Sequence, residues 1–272
     1  MAAAMSSRLR AALRLALFAA WTIFMLVPYL PMMAVGSRHL GGVARAYWRG
    51  VVGIIGMRVV VRGDISTARP TLFVANHASY LDIVVLGRLL DAVFVAKREV
   101  AGWPGFGFLA RVGRTVFVER NRVRVTNERE ALHSRLGGGQ SLILFPEGTS
   151  NDGNRVLPFK SALFSVAEAD ELTVQPVSVA YTRIDGVPIG HGWRPFFAWY
   201  GDMTLAPHLW TMMGIGRLTV EVVFHPPLAA TARRSRKVMA ERCHRAVARG
   251  VGLANAGRLP ADDPPPEEVA VR

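Results

Sequence analysis

The chain has 272 residues, of which 51% are hydrophobic, and a formal net charge of +13 at pH 7. That length allows one large domain plus an anchor or a tail. The single cysteine, Cys243, excludes an internal disulfide and a zinc cluster built on several thiolates. The basic charge suits anionic lipid or phosphorylated substrates. Nucleic acid is disfavoured as a partner, because the charge accompanies an apolar N-terminus and no nucleic-acid-binding module.

An apolar segment near the N-terminus, Leu15 to Gly36, contains no charged residue and is long enough to cross a bilayer. Arginines flank it on both sides, which disfavours a simple single span. Pro28 and Pro31 predict that the helix breaks midway and turns back. We therefore predict that residues 1–49 form a membrane-associated helical hairpin with both ends on the cytoplasmic side. A single span and a signal peptide cleaved near Gly36 are the alternatives.

Strand-like and helix-like stretches alternate through the middle of the chain. An apolar run at 51–61 is predicted to be a helix end that leads into a first strand. The further predicted strands are 71–75, 92–96, 115–118, 141–145, 174–180 and 218–224. The predicted helices between them include 81–90 and 123–136. This alternation predicts an α/β domain over residues 50–230, with a mixed or parallel sheet flanked by helices.

The C-terminal part of the chain differs in composition from the α/β domain. Residues 231–256 read as a basic helix, and residues 257–272 are rich in proline and acids. The second stretch is predicted to be a disordered tail, because it offers little apolar surface to bury.

A motif with catalytic residue types follows the strand at 71–75, with the sequence Asn-His-Ala-Ser-Tyr-Leu-Asp at residues 76–82. A histidine at the end of such a strand points into the mouth of the sheet. Asp82 can reach one ring nitrogen of His77 and leave the other free to take a proton. The alternative is that Ser79 and Asp82 form a helix capping box and that His77 is an ordinary loop histidine.

A second motif, Phe145-Pro146-Glu147-Gly148-Thr149, follows the predicted strand at 141–145. The two motifs, in this order and about 70 residues apart, resemble those of the glycerolipid acyltransferases that include 1-acylglycerol-3-phosphate acyltransferase. The resemblance covers about residues 50–225. The aromatic segment 196–203 also resembles the related lyso-ornithine lipid acyltransferases.

The resemblance implies a mechanism without a metal or other cofactor. His77 would be the general base that takes the proton of the acceptor hydroxyl, and Asp82 would orient His77 and balance its charge. The hydroxyl oxygen would attack the thioester of acyl-CoA or acyl carrier protein, and no acyl-enzyme is required. Val174 to Val179 resembles the family's fourth motif, a strand expected to shape the acyl pocket.

Substrate-binding residues are implied in the same way. Arg120, in Phe117-Val118-Glu119-Arg120, would bind the acceptor phosphate with its planar fork. Glu147 would help to position the acceptor, Gly148 would permit a close approach of the backbone, and Thr149 belongs to the same motif. Lys160 and Lys97 are candidates for further positive charge near the phosphate; each is otherwise a solvated surface lysine.

The chain departs from the family pattern at three positions. Glu119 stands where aspartate is commoner, Gly113 lies one place early, and Ser150 replaces an arginine of many members. The first change is mild and the second affects the local turn. The third removes one positive charge.

These observations predict a membrane-bound enzyme that makes phosphatidic acid from 1-acylglycerol-3-phosphate. Its expected partners are a lysophospholipid acceptor, an acyl thioester donor and membrane lipid. Another lysolipid acceptor, such as lyso-ornithine lipid, is the alternative. A non-enzymatic membrane-surface protein would account for the charge but not for the two motifs. A serine hydrolase is disfavoured because the sequence has no Gly-x-Ser-x-Gly elbow.

Overall fold

The computed structural model describes residues 6–37, 39–97, 101–102, 107, 110, 112–113, 115–118, 135–167, 172–228 and 235–260. The α-helices in these ranges are α1 (Arg8–Ala34), α2 (Leu40–Ile55), α3 (Leu81–Leu89), α4 (Leu205–Gly214) and α5 (Arg236–Asn255). The strands are β1 (Met57–Arg62), β2 (Thr71–Ala75), β3 (Ala92–Lys97), β4 (Val116–Val118), β5 (Ser141–Leu144), β6 (Thr173–Ile184), β7 (Val187–Pro188) and β8 (Leu218–Phe224). Short 3₁₀ helices cover Ser161–Ala167 and His191–Phe196.

The strands form one mixed sheet in the order β1-β8-β6-β2-β5-β3-β4, with β7 paired to β6. Strands β6, β2, β5, β3 and β4 are mutually parallel. β8 runs antiparallel to β6, and β1 runs parallel to β8. All five residues of the central strand β2 are buried. Such a continuous apolar strand is typical of a parallel sheet covered on both faces, so the predicted α/β architecture is confirmed.

The two faces of the sheet are covered by different helices. Successive side chains of β2 alternate between the faces: Phe73 belongs to one apolar core, and Leu72 to the other. The first core contains residues of α1, α2, α3 and α4, and the second contains residues of α5 and the 3₁₀ helix that begins at Ser161. Both faces of the sheet are therefore covered, and polar side chains can lie at the ends of its strands.

The element bounds agree closely with the sequence predictions. β2 and β8 have the predicted limits, and β6 extends four residues beyond its predicted end, to Ile184. The apolar run at 51–61 does contain a helix end followed by β1. Most of the predicted helix at 123–136 and of the predicted tail lies outside the described residues.

The predicted helix break at Pro28 and Pro31 is wrong. Both prolines lie inside α1, which is a single helix of 27 residues. Each proline removes only one hydrogen-bond donor, and the remaining bonds of so long a helix keep it intact. The chain instead turns after Gly36, whose φ of +65° is the left-handed conformation that commonly ends a helix. Since α1 and α2 pack on each other, the two helices do form a hairpin, with a later turn.

Candidate active site

The two sequence motifs lie together at one edge of the sheet. His77 follows β2, and Glu147 follows β5, which is the parallel neighbour of β2. The carboxyl ends of parallel strands meet at the same edge, where active sites of α/β proteins usually lie. The topology therefore joins residues that are 70 positions apart in the sequence.

The His77 ring and the Asp82 carboxylate form the predicted hydrogen bond. Nδ1 of His77 lies 2.9 Å from Oδ2 of Asp82. The Asp82 side chain is completely buried, whereas 22% of the His77 side chain is exposed. Nε2, on the opposite side of the ring, is thus the nitrogen that can take a proton from a substrate.

Asp82 also holds the backbone at the start of α3. Its Oδ2 accepts hydrogen bonds from the backbone N–H groups of Ala78, at 2.8 Å, and of Ser79, at 2.9 Å. In the described structure the buried hydroxyl of Ser79 has no hydrogen-bond partner. Only the Asp82 half of the capping box is therefore present, and it coexists with the bond to His77.

Glu147 is almost completely buried, with an exposed fraction of 1%. Its Oε1 accepts a 2.7 Å hydrogen bond from the backbone N–H of His77. Its Oε2 accepts from Nδ2 of Asn151, at 2.6 Å, and from the backbone N–H of Leu157, at 2.8 Å. These three donors favour the carboxylate form, but burial outweighs them and raises the pKa of Glu147 to about 7. The predicted contact of Glu147 with the acceptor stays a prediction, because both oxygens are used inside the protein.

Two buried asparagines, neither of which the sequence predicts to be a site residue, support the His77 loop. Nδ2 and Oδ1 of Asn76 pair with the backbone O and N–H of Val179, at 2.9 and 2.8 Å, and tie the end of β2 to β6. The backbone N–H of Asn151 donates to the carbonyl of His77 at 3.2 Å. Their positions, directly before His77 and four residues after Glu147, are the sequence signals that could have identified them.

An aromatic wall lies against the imidazole. The rings of Phe145 and His77 are stacked with centroids 4.3 Å apart, and Phe94 stacks on Phe145 at 6.2 Å. Phe94 also lines an apolar cavity of about 230 Å³ on the face of the sheet that carries α1, α2 and α3. Phe94 thus connects this apolar cavity to the aromatic rings beside His77.

Three of the other predicted site residues, Lys160, Gly148 and Thr149, lie beside one another. Lys160 is exposed, and its Nζ lies where a side chain on Gly148 would be, 2.7 Å from the position of an added Cβ. Gly148 has a φ of +67°, so the absence of a side chain suits both its backbone and its contact with Lys160. Thr149 is exposed beside them. Lys97 ends β3, but its side chain lies outside the described residues, as does Arg120.

The chain is similar in sequence to known acyltransferases. Residues 58–180 match the model of the acyltransferase family. A lyso-ornithine lipid O-acyltransferase of Brucella abortus is 43% identical over 202 residues, which cover 71% of this chain and 76% of that protein. A 1-acyl-sn-glycerol-3-phosphate acyltransferase of Neisseria gonorrhoeae is 34% identical over 154 residues, covering 56% of this chain and 58% of that one.

The fold has a solved counterpart. The crystal structure of the 1-acyl-sn-glycerophosphate acyltransferase of Thermotoga maritima superposes with a TM-score of 0.66, covering 90% of this chain and 92% of that chain at 21% sequence identity. Fold and sequence together thus define an acyltransferase enzyme. The chain belongs to the glycerolipid acyltransferase family.

Proposed function

We propose that this protein transfers a fatty acyl chain from a thioester to the free hydroxyl of a lysolipid. The observation that carries the proposal is the 2.9 Å bond between His77 Nδ1 and the buried Asp82, with the opposite ring nitrogen left for a substrate. The apolar cavity beside the aromatic wall supports a substrate with a hydrocarbon chain.

In the proposed mechanism, Nε2 of His77 takes the proton of the acceptor hydroxyl. At the same time, the hydroxyl oxygen attacks the carbonyl carbon of the thioester. The tetrahedral intermediate then breaks its C–S bond, and the imidazolium returns the proton to the leaving thiolate. Asp82 keeps the ring oriented and balances its charge. A positioned base of this kind contributes about 10²–10⁴ to the rate. Glu147 contributes by positioning His77, because its carboxylate accepts a hydrogen bond from the backbone N–H of His77.

We propose lyso-ornithine lipid as the acceptor. The Brucella abortus relative named for this acceptor shares 43% identity, against 34% for the Neisseria gonorrhoeae relative named for 1-acyl-sn-glycerol-3-phosphate, and over a larger share of both chains. The second candidate is 1-acylglycerol-3-phosphate, the acceptor for which the Neisseria gonorrhoeae relative is named. Both acceptors carry an anionic group, so the basic residues named above suit either.

The test is product analysis with purified protein. Each lysolipid is offered separately with acyl-CoA and with acyl carrier protein that carries an acyl thioester, and the lipid products are identified by mass spectrometry. We expect diacylated ornithine lipid and its loss in His77→Ala. Formation of phosphatidic acid alone would select the second candidate. Absence of any acylated product, with the protein folded, would contradict the acyltransferase proposal.

The proposed location is the membrane surface, on the cytoplasmic face of a bacterial inner membrane. Within the described residues, α1 is the one helix long and apolar enough to span a bilayer by composition. However, it contacts the rest of the protein along its length. Arg14 donates to the carbonyl of Ile215 at 2.8 Å, Trp21 to that of Tyr47 at 3.0 Å, and Tyr29 to that of Val112 at 2.9 Å.

A helix held at its start, middle and end lies along the domain and does not project from it. Its outer side exposes large apolar residues, among them Leu9, Leu13, Ile23, Phe24 and Val27. Such a helix suits the interfacial plane of a membrane, with its apolar side in the lipid. This arrangement supports the predicted hairpin over a single span.

A further inference from the structure

We propose that Tyr181 is a positioning residue of the active site, which sets the proton affinity of the His77–Asp82 pair through a hydrogen bond to Asp82. The inference rests on the proposed function of His77 as a base. Tyr181 was not among the residues singled out from the sequence, because nothing local to it indicates a role.

The topology explains how Tyr181 reaches the dyad. Ala75, the last residue of β2, pairs with Val177 of the parallel strand β6. β6 continues past this point, and Tyr181 lies on the same face of the sheet as Val177 because the two are separated by an even number of residues. The part of β6 beyond Val177 brings the Tyr181 phenol to Asp82, in the first turn of α3.

The hydrogen bonds around Asp82 divide between its two oxygens. Oδ2 accepts from His77 and from two backbone N–H groups. Oδ1 accepts from the Tyr181 hydroxyl at 2.5 Å, and both side chains are buried. Among the described residues, Tyr181 is the one donor to Oδ1. The phenol therefore supplies the hydrogen bond that holds the oxygen not used by the histidine.

The direction of this bond is fixed by electrostatics. Burial and the neighbouring Asp82 charge raise the pKa of Tyr181 well above its ordinary value, so the phenol keeps its proton and donates it. The other titratable groups near the pair have different partners. Glu147 accepts from the backbone of His77, and the hydroxyl of Tyr80 lies 3.0 Å from Nδ1 of His208.

A purely structural role would need only the ring. Tyr181 is part of the apolar core on the α1–α4 face, and phenylalanine would fill the same space. The Tyr181 hydroxyl donates a hydrogen bond to the buried Asp82 carboxylate. This hydrogen bond disperses the negative charge of Asp82, and that charge stabilises the protonated form of His77. Without the hydroxyl, the imidazolium would be more stable and the base would stay protonated to a higher pH.

The test compares Tyr181→Phe with Thr182→Val. Thr182 is the next residue on β6, and its hydroxyl contacts Glu221 at 3.4 Å, away from the dyad. In Tyr181→Phe we expect kcat at pH values on the acidic limb to fall about threefold, with both KM values nearly unchanged. The acidic limb of the kcat/KM profile should move to higher pH by about half a pH unit. Thr182→Val should leave the profile in place. An acidic limb that stays in place in Tyr181→Phe would overturn the proposal.

A double-mutant cycle gives a second measurement. If Tyr181 acts through the Asp82 carboxylate, then Tyr181→Phe should cost less than twofold in kcat in an Asp82→Asn background. An equal fold-loss in both backgrounds would assign Tyr181 a purely structural role.

The NMR titration of the His77 ring, which needs no turnover, separates this inference from the proposed function. If the His77 ring titrates at the same pH in the wild type and in Tyr181→Phe, the proposed role of Tyr181 is contradicted. Absence of acyl transfer in the wild type contradicts the proposed function instead.

Discussion

The backbone N–H of His77 donates a 2.7 Å hydrogen bond to Oε1 of Glu147. This bond joins the two motifs of the site at the main chain. Glu147 therefore helps to position His77, in addition to its predicted role toward the acceptor. The loop after β2 is held from two sides, by Glu147 at its start and by Asp82 at the beginning of α3.

The first prediction concerns the dyad. His77→Ala should lower kcat by about 10²–10⁴, because the positioned base is lost. Asp82→Asn should lower kcat less, and it should also reduce the free energy of unfolding by about 1–3 kcal/mol, since an amide cannot accept all the hydrogen bonds of the carboxylate. Steady-state kinetics and denaturant unfolding measure both effects.

Ser79→Ala is the control for helix capping, because the hydroxyl it removes has no partner in the described structure. It should leave kcat and stability nearly unchanged. Wild-type turnover in Asp82→Asn would show that Asp82 serves only as a helix cap.

The second prediction concerns the anionic group of the acceptor. Arg120→Ala should raise the acceptor KM, lower kcat, or both, because the substitution removes the guanidinium group that is predicted to bind the anionic group with two hydrogen bonds. Arg122→Ala, two positions further along the chain, is the matched control and should have a small effect. The assignment to the acceptor fails if only the KM of the thioester changes in Arg120→Ala.

The third prediction follows from the raised pKa of Glu147, about 7 in the folded protein. A carboxyl group whose pKa is raised on folding favours the folded state at low pH, and this contribution is lost as the pH rises through the folded pKa. Between about pH 4.5 and 7.5, the free energy of unfolding should therefore fall by up to roughly 3 kcal/mol on account of Glu147.

Denaturant unfolding at a series of pH values should show this dependence in the wild type but not in Glu147→Gln, which cannot titrate. Glu241→Gln removes an exposed carboxylate on α5 and should keep the wild-type slope. Identical slopes in the wild type and Glu147→Gln would contradict the prediction.

The fourth prediction concerns Gly148. Alanine at this position would take a left-handed conformation and displace the Lys160 ammonium group. We expect a loss of about 1 kcal/mol in unfolding free energy and a several-fold rise in the acceptor KM. At Gly137 an added Cβ meets nothing within 4 Å, so Gly137→Ala should change neither quantity appreciably. Equal effects of the two substitutions would exclude a special role for Gly148.

The fifth prediction concerns α1. The double variant Phe24→Asp/Val27→Asp should weaken binding to anionic lipid vesicles by at least about tenfold, because burial of such side chains contributes about 1.5–3 kcal/mol each. Both residues are exposed, so the fold should persist. Val187→Asp, at an exposed residue of β7, is the control. Vesicle flotation measures the binding, and unchanged flotation of the double variant would place the membrane contact elsewhere.

A reporter fused after Leu40 tests the topology of the hairpin. A cytoplasm-specific reporter should be active there. Activity of a periplasm-specific reporter would instead support a single span or a cleaved signal peptide.

The sequence alone was sufficient for the local elements and for the dyad. The apolar runs at 71–75 and 218–224 predict β2 and β8 with their observed limits, because period and turn residues are local properties. His77 and Asp82 are five residues apart, so their contact is also local. By contrast, the two prolines of α1 suggested a break that the structure lacks, and Gly36 marks the turn instead.

Only the tertiary structure decided which distant groups surround the dyad. Glu147, Asn151 and Tyr181 reach it from the ends of β5 and β6 because the strand order places β5 and β6 on either side of β2. Their hydrogen bonds span 70 to 99 residues of sequence. No periodic pattern in the sequence predicts contacts over such sequence separations, because these contacts follow from the packing of the whole sheet. The sequence thus determined the chemical groups of the site, and the fold determined their partners, because burial and strand order are properties of the complete chain.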